Sequence, residues 1–256
     1  MKKLLLTTLC LLQIFTLFAA TAKYQSQDYD LSIQYNDVIT PGDAIFARMT
    51  VILPKNHKKS KDFTQKATLQ MLSDKKVIEL DDKNTAIKTN NSPERAAQID
   101  KLNNILFTSM PQDIYNLKTF KKPIVSERMT AFFGDRRIYA YTNGKSSTSL
   151  HYGDDYGVPT GTEVFACGDG KVVMAENRIS TGYSIVIEHL PGLYSLYYHL
   201  NEMSVKEGDI VKQGQLIAKS GSTGLATGPH LHWEIRLNGS AIRPNFFLSD
   251  FAFEEE

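Results

Sequence analysis

The stretch GPHLHWE, residues 228–234, decides how the C-terminal half of this chain folds. Its apolar and polar residues alternate, and an extended chain points successive side chains to opposite faces. His230 and His232 therefore share one face. Leu231 and Trp233 share the other and are free to enter a core. The pattern predicts a strand that presents two imidazoles on the same side.

A second stretch, LHYGDDYGVP at residues 150–159, offers a matching pair. Its glycines and its proline disfavour a helix, so the segment is expected to be extended. His151 and Asp155 are four residues apart and therefore project to the same side. Two pairs of this kind, among glycine turns and short strands, can converge on one metal ion.

The chemistry of these side chains favours zinc. Two imidazoles and one carboxylate leave a tetrahedral zinc ion with one open position, as in a catalytic site. We expect His151, Asp155 and His232 to bind one zinc ion per chain, with water in the fourth place. Zinc lowers the pKa of such water toward about 7 and polarises a bound carbonyl. His199 and His230 remain for proton transfer, and which of them is the general base stays open. A closed structural site would need one of these two as the fourth ligand and would leave the other unexplained.

His199 ends the strand-like run YSLYYH. Strict alternation puts its side chain on the face of Ser195 and Tyr197, opposite Leu196 and Tyr198. We therefore expect His199 to lie outside the apolar core, where it can take part in chemistry.

The N-terminus is typical of a secretory leader. Two lysines precede an uncharged apolar run from Leu4 to Ala20, and an A-x-A arrangement favours cleavage after Ala22. The run is nearly long enough for a membrane span, so a retained anchor is the alternative. Cleavage removes the two lysines and lowers the formal net charge from +1 to −1, which indicates no nucleic-acid partner. Cys167 would be the only remaining cysteine, so an intramolecular disulfide is excluded. We expect an exported protein of the periplasm or cell envelope, with no membrane span after signal cleavage.

The N-terminal part of the mature chain, residues 23–110, predicts a small β-sandwich-like domain. Its strand-like segments are separated by a turn at Pro41-Gly42-Asp43. Ser92 and Pro93 then provide the cap and first residue of one helix that ends the domain. Residues 111–125 show little periodicity and are predicted to be a linker.

The C-terminal part, residues 126–248, completes a mainly β protein. Short strands separated by glycine turns are typical of an antiparallel sheet or barrel-like domain, and no long helix fits the pattern. Residues 249–256 form an acidic tail.

Four groups of motifs follow one another in this C-terminal part: FGDRR (133–137), HYGDD with PTGT (151–155 and 159–162), LYYHL (196–200), and GSTG with TGPHLHWE (221–224 and 227–234). In kind and order they resemble the lysostaphin-type (LytM-like) zinc metallopeptidase family, over about half of the chain. The resemblance implies His151, Asp155 and His232 as zinc ligands and His199 and His230 as the catalytic pair. It also implies a tyrosine near the first ligand, for which Tyr139 and Tyr141 are the candidates.

The resemblance implies a zinc-dependent endopeptidase that hydrolyses peptide bonds in the stem or cross-bridge peptides of bacterial peptidoglycan, for cell-wall remodelling. Family members differ in the bond they cut, so the bond stays open. No added wall-targeting repeat is visible, which favours a periplasmic enzyme. In some relatives an upstream segment covers the groove until it is displaced, so latency is a hypothesis for the N-terminal domain. We expect a monomer whose partner is the peptidoglycan peptide.

Two other classes compete with this interpretation. A catalytically silent family member would bind or activate other cell-wall hydrolases, but such proteins typically lose ligands and all five matched positions are intact here. A lipoyl- or biotinyl-like carrier module would suit the turns at VKEGD (205–209) and GDG (168–170), but its exposed lysine hairpin is missing. The remaining histidines, His57 and His189, are interpreted as packing or surface residues.

Overall fold

The structure is a computed structural model that describes residues 20–25, 30–35, 44–52, 61–68, 75–110 and 112–248. Contacts divide the chain into an N-terminal unit, residues 1–39 with 45–67, and a C-terminal unit, residues 40–44 with 68–256. The described strands form three sheets, accompanied by two α-helices, so the prediction of a mainly β protein is confirmed. Among the described residues, no helix has the length and apolar character needed to cross a membrane.

The N-terminal unit contains one sheet, formed by β1 (Ala20–Gln25), β2 (Asp30–Tyr35), β3 (Ala44–Ile52) and β4 (Lys61–Thr68) in that order. The pairs β1–β2 and β2–β3 are antiparallel. The predicted cleavage site after Ala22 falls within β1, whereas residues 1–19 of the predicted leader and the predicted turn at residues 41–43 lie outside the described residues. Leader, cleavage and turn therefore remain predictions.

A large antiparallel sheet forms the body of the C-terminal unit. Its strands are β6 (Met129–Ala131), β9 (Asp154–Tyr156), β10 (Glu163–Phe165), β11 (Gly170–Arg178), β12 (Gly182–Leu190), β13 (Leu193–Met203), β14 (Ile210–Val211), β15 (Leu216–Ser220), β16 (Leu231–Leu237) and β17 (Ser240–Ile242). The main order is β14-β11-β12-β13-β16-β9-β6. In addition, β17 pairs with β16, and β15 joins β10 to β13.

Tight turns and apolar strands explain this sheet. The β16–β17 hairpin turns at Asn238 and Gly239, both at positive φ, which suits the twist of a two-residue hairpin. As predicted, Leu231 and Trp233 of β16 are fully buried. They belong to a core of β-branched, leucine and aromatic side chains whose burial drives the folding of this unit.

A smaller sheet stands beside the large one. It consists of β5 (Lys75–Glu79), which is parallel to β7 (Arg136–Ala140), and β8 (Ser146–Leu150), which is antiparallel to β7. β8 leads directly into His151, so this sheet delivers one of the predicted metal ligands.

Two helices also belong to the C-terminal unit: α1 (Asp82–Thr89) and α2 (Pro93–Phe107). The predicted cap of α2 is present, because the Ser92 side chain accepts a hydrogen bond from the backbone N–H of Arg95 at 3.2 Å. Helix α1 was not predicted. A short 3-10 helix, Pro244–Leu248, follows the last strand.

Helix α2 packs on the large sheet, which differs from the predicted division of the chain. Leu106 lies in one buried cluster with side chains of β11, β12 and β13, and Leu102 and Ile105 pack against that cluster. The apolar face of α2 is thus covered by the C-terminal sheet, and the contact boundary falls near residue 68 instead of residues 111–125.

The predicted linker is also tied to the C-terminal unit. The backbone N–H groups of Tyr115 and Asn116 donate to the His189 carbonyl, and that of Lys121 donates to Cys167. Phe120 is buried, with its ring 4.6 Å from His189. Periodicity did not reveal this segment because its contacts are long-range and irregular.

Candidate metal centre and catalytic groove

Strands β9 and β16 pair so that Asp155 lies opposite His232. Nδ1 of His232 is 2.8 Å from Oδ1 of Asp155, and Nε2 of His151 is 3.0 Å from the same oxygen. The two imidazole nitrogens are 2.9 Å apart. All three side chains are buried, so the structure brings the predicted metal ligands together.

His151 reaches this point by a close approach of the chain, although it does not share a strand with Asp155. β8 ends at Leu150 and β9 begins at Asp154. Between them, Gly153 passes so close to β16 that an added Cβ would collide with the carbonyl oxygen of Trp233. The glycine is therefore required for the two ligands to meet.

The far nitrogen of each ligand histidine already has a partner. Nδ1 of His151 donates to the Phe132 carbonyl at 2.9 Å, and Nε2 of His232 faces the Glu234 carboxylate at 3.4 Å. These contacts favour the tautomers in which the inner nitrogens carry lone pairs. Two lone pairs and a carboxylate oxygen at this spacing repel one another unless a cation or a proton lies among them. The donor set therefore fits a metal ion, and two imidazoles with one carboxylate suit zinc with one position open.

In the absence of a cation, the cluster holds a proton. Burial would lower the pKa of His232, but hydrogen bonds to Asp155 and Glu234 outweigh burial and raise it to about 9. Burial would likewise raise the pKa of Asp155, but hydrogen bonds from His151 and His232 hold it well below its usual range. Metal binding near neutral pH must displace the proton, so metal affinity should rise with pH.

Arg137 holds the outer oxygen of Asp155. Its Nη2 donates to Oδ2 at 2.9 Å, while Nη1 donates to the hydroxyl of Tyr139 at 3.4 Å. This leaves Oδ1 facing the two histidines. Of the two candidate tyrosines, Tyr139 lines the groove at the site, whereas Tyr141 bonds to Ser147.

His199 does not follow the alternation of its strand. The prediction that its side chain shares the face of Ser195 and Tyr197 is therefore wrong. The face shared by Ser195 and Tyr197 is fully buried, and strict alternation would have placed His199 there. The pairing of β12 with β13 shifts register between Tyr183 and Ile185, so one extra residue of β13 is accommodated, and His199 takes a φ of 60°. Its ring instead comes within 4.7 Å of the His230 ring, centroid to centroid.

The two predicted catalytic histidines both face the group formed by His151, Asp155 and His232. Nδ1 of His199 donates to the Thr223 carbonyl and Nδ1 of His230 to the Gly228 carbonyl, both at 2.8 Å. Each Nε2 therefore carries the lone pair, and Nε2 of His230 lies 3.8 Å from Oδ1 of Asp155. Burial, reinforced by the neighbouring histidines, lowers the pKa of His199 to about 3, and burial also lowers the pKa of His230. Both imidazoles are neutral at pH 7 and can accept a proton.

The site opens into a groove with a volume of about 530 Å³. Its lining includes β5 with Leu80 and the loop from Leu225 to His230. Arg128, Arg137 and Tyr139 line it as well.

The sequence did not indicate the roles of Glu234 and Arg137, although both stand in motifs that were recognised. Glu234 faces His232 from two residues further along β16, and Arg137 of β7 contacts Asp155 of β9. His189 is fully buried, in accord with a packing role, and His57 lies outside the described residues.

The sequence pattern that defines Peptidase family M23 matches residues 149–244, the segment that contains all five histidine and aspartate positions described above. Residues 149–244 form a peptidase family M23 domain. The resemblance to the lysostaphin-type metallopeptidases is thereby confirmed.

Curated relatives match the same part of the chain. The Vibrio cholerae peptidoglycan DD-endopeptidase ShyA is 39% identical over 115 residues, which are 45% of this chain and 26% of ShyA. Its paralogue ShyB is 45% identical over an alignment of the same coverage. The Neisseria meningitidis DD-carboxypeptidase/endopeptidase Mpg is 38% identical over 123 residues, 48% of this chain and 27% of Mpg. The chain thus spans only about a quarter of the length of these M23 relatives.

A solved structure supports the fold over a longer range. A Pseudomonas aeruginosa protein described as an M23 peptidase superposes with a TM-score of 0.57, covering 90% of this chain and 84% of its own. The sequence identity is 20%, so this likeness concerns the fold alone.

Proposed function

We propose that this M23 domain is a zinc-dependent endopeptidase that hydrolyses peptide bonds in the stem or cross-bridge peptides of bacterial peptidoglycan. The observation that carries the proposal is the convergence of His151, Asp155 and His232 directly beside the neutral pair His199 and His230. This is the arrangement needed for metal-assisted hydrolysis, with a ligand set that leaves a position open and two bases next to it.

The mechanism assigns each side chain a task. When bound, zinc would supply a Lewis acid and lower the pKa of a water molecule. Nε2 of one histidine of the pair would accept the proton of the attacking water and pass it to the leaving amine. Nε2 of the other, protonated from solvent, would donate a hydrogen bond to the oxyanion formed from the scissile carbonyl. Arg137 keeps Oδ1 of Asp155 turned toward the cluster throughout.

The substrate is inferred from chemistry and from relatives. The groove has a volume of about 530 Å³, which is enough for a short peptide segment. The relatives named above are peptidoglycan DD-endopeptidases or a DD-carboxypeptidase/endopeptidase. Together with the predicted leader, this supports action on peptidoglycan peptides in the periplasm or cell envelope.

The test is mass spectrometry of fragments released from purified peptidoglycan by the mature protein, with added zinc and with a chelator. We expect fragments that differ by one hydrolysed peptide bond, absent with the chelator and absent with His230→Ala. The masses name the bond. Binding to peptidoglycan without any release would favour the silent family member that recruits other hydrolases.

A test of the latency hypothesis needs an N-terminal truncation that keeps the contacts between α2 and the large sheet. A chain starting near Pro123 would lose α2 and expose the buried Tyr194 and Tyr198. A chain starting at Thr68 removes the N-terminal unit together with residues 40–44. Latency predicts faster hydrolysis by this shorter chain than by the full mature protein, and equal rates would contradict it.

A further inference from the structure

Helix α2 contacts the turn between β11 and β12, residues 178–182, through polar groups. The backbone N–H of Ile179 donates to Oε1 of Gln98 at 2.9 Å. Nη2 of Arg178 donates to the Gln98 backbone carbonyl at 3.3 Å, and Nε of Arg95 donates to the Ser180 hydroxyl at 3.0 Å. These bonds are separate from the apolar contacts of Leu106, so they can be broken without uncovering the core.

The same turn holds His199. The backbone N–H of His199 donates to the Thr181 carbonyl at 2.9 Å. The turn also interlocks with residues 223–228, because an added Cβ on Gly224 would collide with the backbone of the turn. Thr223 in that loop accepts the hydrogen bond from Nδ1 of His199. The turn therefore fixes both the backbone and the ring of His199.

Helix α1 holds the other loop. Nδ2 of Asn84, a side chain that is only 4% exposed, donates to the Ala226 carbonyl at 3.3 Å. Two residues further along, the Gly228 carbonyl accepts the hydrogen bond from Nδ1 of His230. Each helix thus reaches one histidine of the pair through one loop.

We infer that α1 and α2, which lie outside the segment matched to the M23 family, position the catalytic pair: Gln98 acts on His199 through the β11–β12 turn, and Asn84 acts on His230 through residues 223–228. Both are positioning residues. The expected change in kcat rests on the proposed function. The expected change in the positions of His199 and His230 rests on the hydrogen bonds alone.

Gln98 offers a sharp test. Gln98→Met keeps the length of the side chain and removes the acceptor, whereas Gln98→Glu keeps the acceptor. Lys101→Met is the matched control, because it removes the ion pairs of α2 with Glu176 at 2.9 Å and Glu207 at 3.5 Å and keeps all three hydrogen bonds between α2 and the turn. We expect Gln98→Met to lower kcat about tenfold, with KM and zinc affinity unchanged, and Gln98→Glu to restore kcat. Lys101→Met should match the wild type.

Asn84→Asp tests the second arm with an isosteric side chain. It removes the Nδ2 donor to Ala226, and we expect a similar loss of kcat without loss of zinc. A parallel fall in zinc affinity would overturn the inference, because the effect would then run through the ligands.

Hydrogen exchange separates this inference from the proposed function, because it needs no turnover. The amides of Ile179 and His199 should exchange about fivefold faster in Gln98→Met than in the wild type or in Lys101→Met. Unchanged exchange at both amides would overturn the inference even if the enzyme is active. Absence of hydrolysis by the wild type would defeat the proposed function and leave the exchange result to decide.

Discussion

Two clusters of polar side chains flank strand β13, and only one of them is a candidate for chemistry. On one side, His232 meets His151 and Asp155 and opens to the groove. On the other side, His189 bonds to the Ser195 hydroxyl at 2.7 Å, and that hydroxyl bonds to Tyr197 at 3.0 Å. Both clusters are buried and both contain histidine.

The two clusters differ in how many hydrogen-bond donors they contain. In the cluster around His189, called the closed cluster here, every hydrogen bond has one donor and one acceptor. Nδ1 of His189 donates to the Asp169 carbonyl, and the N–H of Cys167 donates to the Tyr197 hydroxyl. In the open cluster, the inner nitrogens of His151 and His232 and the Asp155 carboxylate are all acceptors, so a proton or a cation must lie among them. Residue type alone therefore does not mark a reactive site. A reactive site is marked by acceptors that lack hydrogen-bond donors and lie beside an open groove.

The largest expected effect follows from removing the carboxylate. Asp155→Ala takes away one of three ligands and leaves Arg137 without its partner, so we expect loss of bound zinc and of detectable hydrolysis. Metal content after dialysis and fragment release measure the two losses. A variant that keeps stoichiometric zinc would refute the ligand assignment.

His230→Ala should separate metal binding from catalysis. It removes a proton acceptor and leaves all three ligands, so zinc stays bound while kcat falls about 10²–10⁴-fold. The comparison with Asp155→Ala is made on metal content. Equal loss of zinc in both variants would contradict the division into ligands and catalytic residues.

Glu234→Gln should have an intermediate effect. The carboxylate that fixes the tautomer of His232 becomes an amide, so we expect zinc affinity to fall about 10–100-fold, measured by competition with a chromophoric chelator. Activity should return at saturating zinc. Unaltered affinity would show that the Glu234 contact does not support the ligand.

The closed cluster should make the free energy of unfolding depend on pH in the acid range. Burial lowers the pKa of His189 to about 4, below its ordinary 6.5, so the unfolded chain takes up this proton first as pH falls. The contribution of His189 is fully present above pH 6.5 and is lost progressively down to about pH 4, by roughly 3 kcal/mol. Chemical unfolding across this range should show a shallower dependence in His189→Gln. Identical slopes would count against a neutral buried imidazole.

The smallest effect is expected for Ser195→Ala. Loss of the hydroxyl leaves the His189 ring short of a partner, and the free energy of unfolding should fall by about 1–3 kcal/mol. Zinc affinity and kcat should remain those of the wild type. In this respect Ser195→Ala should differ from the three variants at the open cluster, each of which lowers zinc affinity or kcat. A change in zinc affinity would mean that the two faces of β13 are coupled.

The sequence predicted that His151, Asp155 and His232 converge, because spacing on extended chains is local information. His230 and His232 lie two apart, and His151 and Asp155 four apart, so alternation alone brought each pair to one side. The same rule was wrong for His199, because the bulge in β13 depends on how β12 pairs with it. The contact of Arg137 with Asp155 likewise depends on how β7 and β9 are placed. Glu234, in contrast, lies two residues from His232, so alternation puts both on one face.

Helix prediction shows a similar limit. The cap at Ser92 and the apolar residues of α2 were visible in the sequence, but the surface that α2 covers was not. Helix α1 has little apolar periodicity, and its buried residues are the polar Asn84 and Thr85. Its position is set by contacts with loops far along the chain, which local patterns cannot report.

The left-handed backbone of His199 sets two requirements against each other. A non-glycine residue at a φ of 60° is strained by about 1–3 kcal/mol, and glycine would relieve that strain while removing the imidazole. Stability alone would favour glycine at position 199, and the proposed catalysis requires histidine. Selection of variants for heat resistance without a hydrolysis assay would thus tend to drift toward inactive protein at this position.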